Sequence, residues 1–169
     1  LLAWVAFSFA SALAGFFLLL AHRPDRDAFG LDAELPAIAS RTAMLLPTYN
    51  EDPHRLTARL RAIIESLETT SHGELFDWFV LSDSTDPDIW VAEEKALLAL
   101  RQAVGTPRLY YRHRADNTAR KAGNISEWIT RFGAVYDFMI VLDADSLMSG
   151  ETIVRLVHAM ETNPTAGLV

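Results

Sequence analysis

Residues 138–146 read FMIVLDADS, five apolar residues followed at once by two carboxylates at positions i and i+2. A continuous apolar run of this length, bounded by polar residues, predicts a buried strand of a parallel sheet. Asp143 and Asp145 would then lie at the carboxyl end of that strand, where open α/β sheets bind their ligands. This stretch therefore predicts both a fold class and the position of a site.

Apolar runs and helical patterns alternate along residues 41–169. The predicted strands are residues 42–46, which Pro47 would end, 76–81, 109–111, 138–142 and 166–169. The predicted helices start after Asp52, after Asp86, at Asn124 and after Ser149. In the first of them, one helical face is apolar and should be buried, at Leu56, Leu60, Ile63, Ile64 and Leu67. This alternation predicts an α/β fold, a Rossmann-like parallel sheet covered by helices on both faces.

Polar loops follow four of the predicted strands, at residues 47–52, 82–86, 112–124 and 143–146. Because the carboxyl ends of parallel strands meet at one edge of a sheet, we expect these loops to form one crevice. Asp143 and Asp145 could share a Mg²⁺ ion, which usually takes one or two protein carboxylates together with waters and substrate phosphates. A solvated turn capped by either side chain is the alternative.

A basic cluster lies in the third of these loops, within an acidic chain. Arg112, Arg114, Arg120 and Lys121 lie within ten consecutive positions, and a helix start at residues 121–124 offers backbone N–H groups to an anion. The pattern favours a phosphate site if it lies beside the two carboxylates, and a solvated loop if it does not.

Two further residues could contact a nucleotide base. Tyr49 offers a ring for stacking, and the Asp83 carboxylate can accept a hydrogen bond from an imide N–H. The alternatives are a half-buried core position for Tyr49 and a turn cap for Asp83.

The first 21 residues differ from the rest of the chain. Eighteen of them are apolar and none is charged, and a helix of this length reaches roughly 30 Å, the thickness of the hydrocarbon core of a bilayer. We predict a transmembrane helix at residues 1–21, a linker at 22–40 and a domain at 41–169. A signal peptide and a buried core helix are the alternatives.

Composition excludes several classes of protein. The 169 residues carry a net charge of −7, which argues against broad nucleic-acid binding, so we expect no nucleic-acid partner. The chain has no cysteine, which excludes disulfide scaffolds, zinc–thiolate sites and thiol catalysis.

Four motifs together resemble inverting, GT-A-fold family 2 glycosyltransferases, the group that includes cellulose synthase. They are PTYNE at residues 47–51, LSD at 81–83, KAGN at 121–124 and VLDAD at 141–145. More narrowly, YNEDP, LSDSTDPDIWVAEE, RKAGNIS and VLDADSLMSGET resemble bacterial membrane glucosyltransferases that make the β-glucan backbone of osmoregulated periplasmic glucans.

The resemblance implies a role for each matched residue. Tyr49 and Glu51 would lie against the uridine, and Asp83 would contact the uracil or the ribose. Lys121 and Asn124 would approach the diphosphate or the donor sugar. Asp143 and Asp145 would bind a divalent metal, Mg²⁺ or Mn²⁺, and Asp143 would also face the nucleotide sugar.

By the same resemblance, residues 41–169 would be the donor-binding part of a truncated GT-A domain. The enzyme would transfer glucose from UDP-glucose to a glucan acceptor, in the inner membrane of a bacterium, as a multi-pass protein with this domain in the cytoplasm. We expect the chain to be a fragment that is inactive by itself, because the family's TED-like general base and Gln/Arg-Trp motif are missing and would lie beyond residue 169.

Two other functions remain open from the sequence. A phosphatase of the haloacid dehalogenase type also has DxD after an apolar strand, but its catalytic lysine comes later in the chain than the aspartates. A membrane-anchored module that binds a nucleotide sugar without catalysis would carry the same motifs.

Overall fold

Four parallel strands form one sheet in the computed structural model, which describes residues 2–21, 34–106, 108–165 and 167. The strands are β1 (Thr42–Thr48), β2 (Phe76–Ser82), β3 (Leu109–His113) and β4 (Phe138–Val141). Their order in the sheet is β3-β2-β1-β4, and every neighbouring pair is parallel. The predicted parallel α/β architecture is confirmed.

Helices cover both faces of this sheet. The helices are α2 (Pro53–Glu68), α3 (Pro87–Val104), α4 (Arg120–Phe132) and α5 (Gly150–Thr162). One face packs against α2, α3 and α5, and the predicted apolar face of α2, from Leu56 to Leu67, is buried there. The other face packs against Trp128 of α4. Asp52, Asp86 and Ser149 cap three of the helices, as their positions in the sequence predict.

Strand β1 continues through Pro47, so the prediction that Pro47 ends it is wrong. The Leu45 carbonyl accepts from Leu142 N on the β4 side, and backbone groups alternate along a strand. The missing N–H of Pro47 therefore faces the β4 side as well. The last β1–β4 pair is Leu45 with Val141, so proline removes no ladder bond there.

Strand β4 is less buried than its composition predicts. It is an edge strand of the four-stranded sheet. Helix α4 covers one face of the neighbouring strand β1, and on that same face of β4 Met139 and Val141 are exposed. The expectation of burial on both faces is therefore wrong within the described residues. A fifth strand predicted at residues 166–169 lies outside them, apart from Gly167.

Helix α4 begins at Arg120, four residues before the predicted start at Asn124. Its first turn carries no large apolar residue, so hydrophobic periodicity could not reveal it. The early start places Lys121 within the first helical turn, beside the loop that follows β4.

The chain divides into two units, Leu1–Glu34 and Leu35–Val169. In the first, residues 2–21 form helix α1 (Leu2–Ala21), as predicted. No helix among the described residues is both long enough and apolar enough to cross a membrane. The transmembrane role of residues 1–21 therefore stays a prediction.

The segment predicted as a linker is described only from residue 34 onward. Residues 35–40 belong to the second unit, where Leu35 and Ile38 pack against the main core. The amides of Ala39 and Ser40 donate to Glu161 Oε1 at 2.9 and 2.8 Å. The first part of that linker, residues 22–33, lies outside the described residues.

Candidate functional site

A cleft of about 1010 Å³ lies where β1, β2 and β4 end, in the second unit. Clefts of this size bind small molecules and cofactors. Six of the seven candidate residues line it: Tyr49, Glu51, Asp83, Lys121, Asp143 and Asp145. The prediction that the polar loops meet in one crevice is confirmed for these residues.

Asp83 follows β2 and is held rigidly at the bottom of the cleft. Its side chain is only 5% exposed. Arg114 donates to both carboxylate oxygens, with 2.9 Å from Nη2 to Oδ2, and Asn124 Nδ2 donates to Oδ1 at 2.8 Å. The hydrogen bond to Asp83 raises the pKa of Arg114, so this guanidinium stays charged. These bonds fix the orientation of the Asp83 carboxylate, and of the remaining lone pair on Oδ2, before any ligand binds.

Asn124 lies behind Asp83 and is fully buried, and it is not among the residues that line the cleft. Its Nδ2 donates to the Leu81 carbonyl at 3.1 Å as well as to Asp83, and Arg112 Nη2 donates to its carbonyl oxygens. Burial lowers the pKa of Arg112. Because the whole amide is used within the protein, Asn124 orients Asp83, and the structure does not place it against a diphosphate.

The loop after β1 carries Tyr49 and Glu51 into the cleft. Asn50, between them, has a left-handed backbone (φ 51°), and its N–H donates to Ser84 Oγ at 2.8 Å. Its side-chain oxygen accepts from Thr85 N at 3.1 Å. Tyr49 is 53% exposed, so its ring is not a core residue and is free to stack on a ligand.

Asp143 and Asp145 follow β4 in a turn closed by a hydrogen bond from Ser146 N to the Asp143 carbonyl, at 2.9 Å. Both side chains are exposed in the cleft, and Lys121 Nζ forms a salt bridge with Asp143 Oδ1. Among the residues that the structure describes, no three His, Cys, Asp or Glu side chains are grouped to hold a metal ion. Two exposed carboxylates fit a metal that also binds waters and phosphate oxygens, and they do not fit a closed structural site.

Arg55 and Arg59 also line the cleft, and sequence reasoning missed them. They lie at i and i+4 in the first turns of α2, and Arg59 Nη1 donates to the Ala144 carbonyl at 3.1 Å. Ala144 separates the two aspartates, so Arg59 helps to fix their turn. The signal in the sequence was a pair of arginines on one face of the helix that begins in the first polar loop.

Arg120 and Lys121 enter the cleft from the start of α4, with Asn117 beside them. Ala119 and Arg120 both have left-handed backbones, with φ 56° and 50°. A Cβ on Gly123 would lie 2.2 Å from the Thr118 carbonyl oxygen. The chain can fold back here only because residue 123 has no side chain. Gly123 therefore allows the basic loop to approach α4 closely.

Comparison with known proteins identifies the same region. The model of the family described as Glycosyl transferase family 2 matches residues 44–169. Over its whole length the chain is 66% identical to Glucans biosynthesis glucosyltransferase H of Bradyrhizobium diazoefficiens, of which it covers 23%. It is 57% identical to the protein of that name from Rhodopseudomonas palustris (strain BisA53), covering 24%, and 54% identical to that of Xanthomonas campestris pv. campestris, covering 26%.

The chain spans about a quarter of the length of the curated relatives that it matches. The family match covers the four strands from Met44 onward and includes every residue that lines the cleft. The resemblance inferred from the four motifs is confirmed, and the parallel sheet agrees with a GT-A domain. The chain belongs to glycosyltransferase family 2.

Proposed function

We propose that this chain is the donor-binding part of a membrane-bound inverting glucosyltransferase that uses UDP-glucose to build a β-glucan. The observation that carries the proposal is a cleft in which two exposed carboxylates, Asp143 and Asp145, lie beside four basic side chains. The basic residues are Arg55, Arg59, Arg120 and Lys121. A metal–diphosphate group is the ligand whose charges match both sets.

The base of the nucleotide would bind near Tyr49, Glu51 and Asp83. Asp83 Oδ2 retains an acceptor site that an imide N–H can use, and the exposed Tyr49 ring can stack on a base. The relatives are named as glucosyltransferases, which supports glucose as the transferred sugar.

The diphosphate would lie against Lys121, Arg120 and the two aspartates. A Mg²⁺ or Mn²⁺ ion held there by Asp143 and Asp145 would supply charge stabilisation to the UDP leaving group. The basic side chains neutralise the same charge, which begins to develop in the transition state as the bond from the sugar to UDP breaks. Inverting transfer also needs a base for the acceptor hydroxyl, and we assign that role to no described residue.

The wider biological role is part of the same proposal. The names of the relatives support glucan synthesis, and the apolar composition of residues 1–21 supports attachment to the bacterial inner membrane. Arg23 and Arg26, which follow this segment in the sequence, support a cytoplasmic position for the cleft, because basic residues beside a membrane helix favour that side. UDP-glucose, a growing glucan and the lipid bilayer would be the partners.

The two alternatives are not favoured. A phosphatase that uses Asp143 as its nucleophile does not agree with the family match, and it would release phosphate from simple phosphoesters through a trapped aspartyl-phosphate. A module that binds nucleotide sugars without catalysis would bind UDP, but the full-length protein would make no glucan.

The test is metal-dependent UDP binding and glucan synthesis by the full-length protein in membranes. Asp145→Asn should weaken UDP binding in Mg²⁺ by about tenfold or more and reduce synthesis in parallel. Asp88→Asn, an exposed change on α3 outside the cleft, is the matched control. Unchanged UDP binding and synthesis in Asp145→Asn would refute the assignment of the metal site.

A further inference from the structure

A buried carboxylate lies on α3, behind the part of the cleft that contains Asp83. Glu93 is fully buried, with an exposed fraction of 0%. Glutamate is seldom buried to this extent unless its oxygens have partners. Glu93 has no role in the glucosyl transfer proposed for the cleft, so its burial must be explained by its hydrogen-bond partners.

Three hydroxyl groups donate to the Glu93 carboxylate. Ser84 Oγ lies 2.9 Å from Oε1, and Ser82 Oγ and Tyr111 Oη lie 2.6 and 3.0 Å from Oε2. Ser82 ends β2, Ser84 is in the loop that follows it, and Tyr111 is on β3. Burial of the phenol, with Glu93 nearby, raises the pKa of Tyr111, which keeps its proton available for donation. Glu93 thus fixes both residues that flank Asp83.

The same network reaches the loop after β1. Because the single proton of Ser84 Oγ is donated to Glu93, the lone pairs of that oxygen accept from Asn50 N, at 2.8 Å. This bond holds Asn50 in its left-handed conformation, between Tyr49 and Glu51. One buried carboxylate is therefore connected to both loops that would hold the base.

We propose that Glu93 is a positioning residue for the nucleotide: it sets the Ser84 hydroxyl, which in turn fixes the loop that carries Tyr49 and Glu51. The inference rests on the proposed donor function. A site built on loops needs such support, because its contacting side chains must be held within a fraction of an ångström. Glu93 itself touches neither the cleft nor the ligand.

The chemistry of the network requires a group that only accepts hydrogen bonds. In Glu93→Gln, one carboxylate oxygen becomes an NH₂ group that donates. Because Oε2 accepts from two hydroxyls and Oε1 from one, the NH₂ group should replace Oε1 and face Ser84. The Ser84 hydroxyl then loses its acceptor and must turn, which removes or reorients the bond from Asn50 N. Ser84→Ala removes the same bond and leaves Glu93 in place.

The experiment compares the full-length enzyme with Glu93→Gln, Ser84→Ala and the double variant, and uses Glu94→Gln, an exposed neighbour on α3, as the control. The measurements are the Kd of UDP in Mg²⁺, the KM and kcat for UDP-glucose, and the thermal midpoint of unfolding. We expect each single variant to raise Kd and KM by about tenfold, because one buried hydrogen bond is lost. The kcat should stay within about threefold of wild type.

The double variant decides between positioning and general destabilisation. If the two residues act through one path, the double variant should bind UDP no more weakly than the weaker single variant. Additive losses, or a lower thermal midpoint with Kd and KM unchanged, would overturn the inference. If Glu93→Gln does not fold, Ser84→Ala against wild type gives the same test of the link to Asn50. Failure of the wild-type enzyme to bind UDP would instead refute the proposed function itself, and the inference with it.

Discussion

Lys121 and Asp143 form a salt bridge across the cleft, from the first turn of α4 to the loop after β4. Both side chains are largely exposed, with 49% and 66% of their surfaces accessible. Exposed pairs of this kind contribute little to stability. The pair matters for binding instead, because the ammonium group occupies a position at Asp143 where a cation would have to bind.

Replacing Lys121 should therefore have opposite effects on two ligands. In Lys121→Gln, a divalent metal no longer competes with the ammonium group, so we expect Mn²⁺ alone to bind about threefold more tightly. UDP in the presence of metal should bind about tenfold more weakly, because a cation that faces the diphosphate is lost. Titration with Mn²⁺, then with UDP, measures both, and Lys95→Gln on α3 is the control. A change of both affinities in the same direction would contradict the assignment.

Arg59 should act on the metal site through the turn that holds the aspartates. Arg59→Met keeps the apolar stem and removes the bond to the Ala144 carbonyl, so we expect metal-dependent UDP binding to weaken by about fivefold to tenfold. Arg61→Met, which removes an exposed i,i+4 pair with Glu65, is the matched control. Isothermal titration of both variants is the measurement. Equal affinities in the two variants would mean that Arg59 does not support the site.

The contact between α2 and α5 should tolerate no side chain at residue 150. A Cβ on Gly150 would lie 2.4 Å from the Ser66 carbonyl oxygen and 2.5 Å from Leu67 Cα, both backbone atoms. We expect Gly150→Ala to lower the free energy of unfolding by about 1–3 kcal/mol, measured by urea denaturation. Gly105→Ala is the comparison. Its Cβ would meet nothing within 4 Å, but φ is +66°, so this change should lower the free energy of unfolding by about 1 kcal/mol. A smaller loss at residue 150 than at 105 would disagree with close packing of Gly150 against the α2 backbone.

Stability should fall in acid through Glu161. Burial raises the pKa of this carboxyl, but the hydrogen bonds from Ala39 and Ser40 outweigh it, and the net shift is downward. A lowered native pKa stabilises the fold above the unfolded value of about 4.3, and that stabilisation is lost as pH falls through the native pKa. Wild type should thus be more stable than Glu161→Gln at pH 7, by a margin that shrinks below about pH 4.3. A margin that does not depend on pH would contradict this.

Most of the fold could be predicted from periodicity and caps. Each strand observed in the described residues lies where an apolar run predicts it, and the inner face of α2 is correct to the residue. The errors concern long-range context. The exposure of β4 depends on which strands flank it, and the passage of β1 through Pro47 depends on where β4 ends. No local pattern carries that information.

The loops that form the candidate site were predicted more accurately than the contacts between its side chains. The rule that ligands bind at the carboxyl ends of parallel strands placed Asp83 and Asp143 in one cleft. It could not tell that Asn124 is buried behind Asp83, since burial of a helical asparagine depends on its partners. Arg59 and Glu93 were missed because each acts across the fold, 85 residues from Ala144 and 18 residues from Tyr111.

The unequal burial of Asp83 and Asp143 has a consequence for how a donor would be captured. Asp83 is already immobilised by Arg114 and Asn124, so the protein loses little additional conformational entropy when a nucleoside binds there. Asp143 and Lys121 must first separate and then be ordered around a cation and a diphosphate. Recognition of the base would then be a lock-and-key event, followed by induced fit at the phosphates. Selectivity among nucleotides would be set in the first of these events, and the response to metal concentration in the second.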